Sequence, residues 1–263
     1  MWRAQYSSLI LGFLACSPQT EPGASGTTTQ TSGRAAHDLL TEYQESFPKY
    51  ILRGDTTSGL CVDILHEIGR VSGLSIGTAT PAFTPFARLQ RHLETGRIDL
   101  FVGFRKTPAR EARYRFLEPP VYRVSTVVAA LADEELEEIG DLDELAGERV
   151  MIPHGSATAQ LVKAQHPLLE VDEGGDIFAC LEKLVRRRGR FVVYHDLGVL
   201  AASRQMGLQE SVKVLPGTFG EYEHYVAVSS AADPDKVARV AAALAELDQT
   251  KVLDRISRRY KTP

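Results

Sequence analysis

The sequence predicts an α/β protein of two lobes joined by a hinge of two crossing strands. Past Ala36 the hydrophobic period keeps switching between helical and strand spacing. The pattern then restarts after a long apolar strand, Val121 to Leu131, and a second extended segment lies near residues 219–228. Short buried strands alternating with amphipathic helices read as parallel strands with crossover helices.

The N-terminus is set apart from that body. Met1 to Cys16 holds Arg3 and then the apolar stretch Leu9-Ile10-Leu11-Gly12-Phe13-Leu14-Ala15. A bilayer-spanning helix needs about 20 apolar residues, so this stretch has instead the size of a signal-peptide h-region. Phe13-Leu14-Ala15-Cys16 resembles a bacterial lipobox, which would make Cys16 a lipidated residue; plain secretion and an ordinary N-terminal segment are the other readings. Residues 17–36 are Ser, Thr, Gly, Gln and Pro with almost no apolar side chain. Such a segment cannot bury enough surface to offset its ordering entropy and reads as a flexible tether.

In the body, Cys61, Ile64, Leu65, Ile68 and Val71 share a helical face that Gly73 stops. Leu74-Ser75-Ile76 is a short strand. Phe86, Leu89 and Leu93 mark a second helix stopped by Gly96, and Ile98 to Phe104 reads as a buried strand. After the long strand, Asp141 to Gly147 is a short capped helix and Val150 to Ile152 a strand. A helix runs from about Ala157, another spans Ile177 to Arg187, and Phe191 to Tyr194 is a buried strand. The end is helical, with Asp233 as N-cap, Pro234 at the first position, and Val237, Val240, Leu244 and Leu247 on one face. The acidic stretch Asp133 to Glu138, the basic run Arg186 to Arg190 and the crossing Glu221 to Tyr225 read as solvated surfaces.

Composition narrows the function. The 263 residues are 43% hydrophobic and 24% charged, enough for a sizeable core. The formal net charge of −4, without a sustained basic tract, gives nucleic acid no footprint. The 3 cysteines have neither CxxC nor metal-ligand spacing, and Cys61 and Cys180 fall in predicted helices as small hydrophobes. No HExxH, GxSxG or P-loop pattern occurs, so no metal, cofactor or catalytic residue is expected.

Three clusters at strand ends can carry chemistry. In Gly103-Phe104-Arg105-Lys106-Thr107-Pro108-Ala109-Arg110, Thr107 suits an N-cap and Pro108 the first helical position. Arg110 then lies in a first turn, where the macrodipole prefers carboxylates. It either faces an anion, which guanidinium grips in bidentate fashion, or pairs with Glu111 or a neighbouring helix. His154-Gly155-Ser156-Ala157-Thr158 is either a plain capped turn or a helix start whose amides approach an anion. In His195-Asp196, the carboxylate either accepts from an ammonium group or caps the next helix.

Taken in order, these segments resemble the bacterial periplasmic solute-binding proteins of the polar-amino-acid type, extracellular solute-binding protein family 3, with the type II periplasmic binding protein fold. The resemblance runs from about residue 39 to Tyr260. It rests on Gly59-Leu60-Cys61-Val62-Asp63-Ile64-Leu65, on Pro85-Phe86-Ala87-Arg88 with Leu93-Glu94-Thr95-Gly96-Arg97-Ile98-Asp99-Leu100, and on Thr107-Pro108-Ala109-Arg110-Glu111. It continues through Phe116-Leu117-Glu118-Pro119-Pro120, Gly155-Ser156 and Tyr194-His195-Asp196. It implies one lobe made of residues 37–124 and 224–263, and a second of 125–223. It implies that Arg110 holds a ligand carboxylate, helped by the loop containing Ser156 and Ala157. Asp196 would take an α-amino group, and Phe86, with Phe47 or Tyr50, would sandwich the ligand side chain. Arg105 stands where amino-acid receptors commonly offer a hydroxyl, which implies a more cationic pocket and an acidic amino acid, a dicarboxylate or a ligand that is no amino acid.

The same resemblance implies a monomer in the periplasm or cell envelope that binds a small amino acid or carboxylate and meets the membrane only through its anchor. An ABC permease or a sensor protein would be its partner. Transport and ligand sensing both remain open on this reading. A few members of the fold are dehydratases, and Glu221, Glu223, His224 and His154 are the residues that would serve one.

Overall fold

The structure, a computed structural model, describes residues 36–261. The leader Met1 to Cys16, lipidation at Cys16 and the tether apart from Ala36 lie outside the described residues. Among the described residues no helix is long and apolar enough to cross a membrane.

The chain enters through β1 (Leu39–Thr41), turns tightly at Ser46 to Tyr50, and makes a hairpin of β2 (Ile51–Arg53) and β3 (Thr56–Ser58). Then follow α1 (Leu60–Ser72), β4 (Ile76–Thr78), α2 (Phe86–Glu94), β5 (Leu100–Arg105) and the short α3 (Pro108–Glu111). β1 pairs with β4 in parallel. On its other side it meets the start of β5 through Asp99, whose amide donates to Leu40 O at 2.8 Å while its carboxylate accepts from the Leu40 amide at 2.8 Å. Asp99, within one of the segments quoted above, thus closes the gap between two strands.

β6 (Arg115–Leu131) is 17 residues long and belongs to both halves of the molecule. Its first part pairs with β11 (Glu221–Val228), and its last part with β9 (Phe191–His195) and β10 (Val212–Val214). The sequence places its start at Val121; the strand begins six residues earlier, at Arg115. Its register against β11 shifts between His224 and Val226, opposite the stretch that holds Pro119 and Pro120. The ladder breaks step where two residues have no N–H to donate.

The second half comprises a single 3-10 turn (Leu142–Leu145), β7 (Arg149–Ile152), α4 (Ala157–Gln165), β8 (Glu170–Glu173), α5 (Ile177–Val185), β9, α6 (Asp196–Gln205) and β10. The strand order across the molecule is β5-β11-β6-β9-β7-β8, with β10 on β6. Side-chain alternation separates two buried layers. Val128, Ala130, Val150, Ile152, Phe191 and Val193 face α4 and the 3-10 turn. Their neighbours Val127, Ala129, Met151 and Val192 face α5 and α6. A sheet covered on both faces explains why these strands read as unbroken apolar runs.

The chain returns through β11 and ends in α7 (Pro234–Gln249) and α8 (Val252–Lys261), which complete the first core with Val237, Val240, Leu244 and Ile256. Asp233 accepts from the Asp235 and Lys236 amides, so the N-cap is where the sequence placed it. α8 also reaches both halves. Tyr260 and Arg259 meet Asp63 of α1, while Lys261 pairs with Asp196 at 2.8 Å and Arg204 donates to Tyr260 O.

The acidic and basic stretches are both largely exposed, as the sequence reads them, and are joined to each other by ion pairs. Arg190 pairs with Glu134 and Glu148, and Arg187 with Asp133. Cys61 and Cys180 are buried, and burial pushes each thiol up to about 12, which leaves both inert.

Gly59 anchors the turn that precedes α1. The Leu60 and Cys61 amides donate to Pro48 O and Lys49 O at 3.1 and 3.0 Å, so a backbone turn caps this helix in place of a side chain. Gly59 has φ 120°, and a Cβ there would stand 2.6 Å from Lys49 O. Gly59→Ala should therefore cost about 3 kcal/mol, the upper end for a strained backbone position, and lower the melting temperature by roughly 6–12 °C. Thermal unfolding followed by circular dichroism checks this; an unchanged midpoint would refute the role given to Gly59.

Candidate functional site

A cleft of about 1150 Å³ lies where the strand ends of the two halves meet. Phe47, Lys49, Phe86, Arg105 and Arg110 line it from the first half. The start of α4, the start of α5, Tyr194 and His195 line it from the second, and Tyr222 and His224 of β11 form its hinge side.

Arg110 is held by its own neighbourhood without being neutralised. Its Nη1 donates to Arg105 O at 2.8 Å, and its guanidinium lies 4.4 Å over Phe104 and 5.4 Å from the Phe86 ring centre. Glu111, its sequence neighbour, pairs with Lys106 instead. Thr107 sits extended before Pro108, as an N-cap would, but its side chain makes no cap bond. Arg105 lies 4.4 Å over the Tyr222 ring. Among the described residues neither Arg105 nor Arg110 has a carboxylate partner. Burial, then the neighbouring Arg105 charge, holds the Arg110 guanidinium below the ordinary arginine range.

Across the cleft, Ser156 Oγ caps α4 by accepting from the Ala159 amide at 3.1 Å. The amides of Ala157 and Thr158 have no acceptor among the described residues, which leaves the positive end of the helix dipole facing the same space as the two guanidiniums. Phe47 packs against Phe178 of α5 with ring centres 4.8 Å apart, bringing the two walls together on that side.

Two expected residues are elsewhere. Tyr50 is 2% exposed, donates to Val102 O at 2.7 Å and packs on Phe101 and Tyr43, so it is a core residue and lines no cleft. Asp196 does not line the cleft either: its carboxylate accepts from the Ser125 and Leu197 amides and pairs with Lys261. The cap of α6 is His195, whose Nδ1 accepts from the Gly198 amide at 2.8 Å. The crossing Glu221 to Tyr225 is only half solvated, since His224 and Tyr225 are buried. Glu221 bonds Ser125 Oγ and Glu223 pairs with Arg123, both outside the cleft.

The residue that sequence reasoning missed is a cation, and it lies beside two histidines that the sequence names in other roles. Lys49 is 8% exposed, with Nζ 3.5 Å from His224 Nε2 and no carboxylate partner among the described residues. Burial lowers its pKa to about 8. His195 and His224 are 2% and 4% exposed, and burial first, then the Lys49 charge, holds both well below the usual histidine value. The sequence places His195 beside the residue it assigned, but nothing in the run Phe47-Pro48-Lys49-Tyr50 marks the lysine as buried. In a second hollow, Asp133, Glu134, Glu148, Arg187 and Arg190 are engaged in ion pairs among its own walls.

A cleft between two α/β lobes, spanned by paired hinge strands and lined by unneutralised cations, defines a ligand-binding protein. Residues 41–263 match the model of the bacterial extracellular solute-binding proteins, family 3, and the chain belongs to that family. Membership puts it outside the cytoplasm. No curated protein matches the chain. Solved structures share the fold, that of the type II periplasmic binding proteins. An ancestral cationic amino acid solute-binding protein superposes with a TM-score of 0.72 at 15% identity, over 85% of this chain and 94% of that one. The GluR0 ligand-binding core from Nostoc punctiforme, in complex with L-glutamate, gives 0.67 at 17%, over 86% and 100%. A histidine kinase sensor domain with similarity to periplasmic binding proteins gives 0.66 at 17%, over 85% and 95%.

The Lys49 environment has a measurable signature without ligand. Its pKa is about 8 in the folded chain against 10.5 in the unfolded one. The unfolded chain therefore holds more protons between those values, and stability rises with pH across that window. Below pH 8 the buried charge opposes folding by roughly 3 kcal/mol. Lys49→Met should raise the melting temperature at pH 7, and the gain should shrink as pH approaches 10.5. A gain that is absent at pH 7, or unchanged at pH 10, contradicts this burial.

Proposed function

We propose that the chain is a monomeric receptor that closes its lobes on a small carboxylate-bearing ligand, an amino acid or a related carboxylate, for ABC-type uptake. The observation that carries the reading is the pair of unneutralised guanidiniums, Arg105 and Arg110, facing the free amides at the start of α4. The open cleft admits the ligand. Arg110 engages the carboxylate from one lobe and the Ala157 and Thr158 amides engage it from the other, so full coordination exists only when the lobes meet. Closure then removes water, and the same contacts strengthen as the local dielectric falls. Phe86, 37% exposed beside Arg110, supplies an apolar wall for the rest of the ligand. Family membership supports uptake as the purpose of binding.

A thermal-shift panel of amino acids and small carboxylates is the direct test. A ligand present at about a hundred times its Kd adds roughly 2.7 kcal/mol. Arg110→Ala should weaken the ligand so identified at least tenfold by titration calorimetry, with the far-ultraviolet dichroism unchanged. Retained affinity would remove Arg110 from the site.

The proposal includes attachment of the receptor to the envelope by a lipid on Cys16. Cys16→Ser should then move the protein from the membrane fraction to the soluble fraction, with loss of the lipid mass from its N-terminal peptide. Equal partition of both proteins would show that the cysteine is no anchor.

A further inference from the structure

The innermost part of the cleft contains more donors than a single carboxylate uses. His195 Nδ1 accepts from the Gly198 amide, so its proton resides on Nε2. That Nε2 is buried and has no partner among the described residues. His224 shows the same arrangement in mirror form. Its Nε2 lies 3.5 Å from the Lys49 ammonium, which can only donate, so the proton resides on Nδ1, and that nitrogen is also buried without a partner. Among the described residues Lys49 itself has no carboxylate partner. Two imidazole donors, on His195 Nε2 and His224 Nδ1, thus have no acceptor among the described residues, and the Lys49 ammonium beside them has only the His224 ring; a buried unpaired donor is costly unless something fills the place.

The nearby acceptors are engaged elsewhere. Tyr50 OH donates to Val102 O, and Tyr122 OH meets Cys61 Sγ at 3.8 Å. The carboxylates that line the cleft, Glu45 and Asp176, are both exposed, and Asp176 caps α5. Asp196, the acid that an ammonium group would seek, is already paired with the chain's own Lys261. This donor cluster also adjoins the guanidiniums. His224 is the direct partner of Arg105 across the β11–β5 ladder, and Arg110 is bonded to Arg105 O. Cβ atoms directly opposite on neighbouring strands stand roughly 5 Å apart, so the Arg105 side chain and the imidazole cluster start from the same part of the cleft.

We infer that Lys49, His195 and His224 form a second anion subsite, and that the cleft is built for a short amine-free dicarboxylate spanning from Arg110 to Lys49. This inference rests on the receptor reading above and narrows its ligand. The second carboxylate would supply an acceptor to an orphan imidazole donor and a counter-charge to the buried ammonium. An α-ammonium group would add a cation to a space that holds Lys49, Arg105 and Arg110 and no inner acid.

The test compares succinate, glutarate and malate with butyrate, glutamate, glutamine and arginine, by thermal shift and titration calorimetry on the folded body. At least one dicarboxylate should bind ten times more tightly than butyrate and than every amino acid in the panel. Lys49→Met should reduce that affinity at least tenfold, towards the level of butyrate. His195→Asn keeps an acceptor for the Gly198 amide but withdraws the Nε2 donor, and should weaken the dicarboxylate by about three- to thirtyfold. A tighter amino acid whose affinity Lys49→Met leaves unchanged overturns the second subsite and leaves the carboxylate receptor standing. A folded protein that binds no member of the panel overturns both.

Discussion

The lobes of this protein share a strand, and that sharing fixes the position of nearly everything in the cleft. β6 pairs with β11 up to Ser125 and with β9 and β10 from Thr126 onward. A single extended segment therefore passes from one hydrophobic core to the other without a break. Because β5 and β9 reach the same crossing from opposite halves, their last residues, Arg105 and His195, end up in one space. β11 lies beside β6 there and adds Tyr222 and His224. The cleft is the gap left where strand ends converge, consistent with ligands binding beyond strand ends in α/β sheets.

The charge of that gap is set as much by what surrounds it as by what lines it. Five acids around it are turned to other cations: Glu118 and Glu111 to Lys106, Glu223 to Arg123, Asp63 to Arg259, and Asp196 to Lys261. These outer pairs are partly exposed, and each contributes little to stability. Their effect on the cleft is larger, since they leave Arg105, Arg110 and Lys49 without a counter-ion. A chain whose formal net charge is −4 thereby presents a cationic interior.

Much of this was legible in the sequence, and the parts that were not share physical causes. Arg110 and the start of α4 are marked by local chemistry, a Thr-Pro helix start and a Gly-Ser turn, so their places could be read from a few adjacent letters. The two-lobed order was legible because strands covered on both faces leave long apolar runs. At His195 and Asp196 the sequence shows a strand end followed by an acid, but neighbours at such a junction point to different sides, and the histidine faces the cleft. β11 conceals in the same way that His224, named from the sequence only as a residue that would serve a dehydratase, is buried. Glu221 and Glu223 bond on one side, Tyr222 and His224 line the other, and a reading by average polarity sees only a charged crossing. Lys49 and Tyr50 were exchanged because a tight turn, bridged from Ser46 to Tyr50, decides which side chain enters the core. No periodicity records such a turn.

That turn has one more consequence. Its carbonyls are fastened to the first amides of α1, and Gly59 is the residue that lets them come so close. The backbone that carries Lys49 therefore cannot swing out to recover solvent. Its ammonium sheds its hydration shell as the polypeptide folds, long before any solute arrives. The donor on this turn is therefore in place and dehydrated before any ligand arrives, so ordering it adds nothing to the cost of binding.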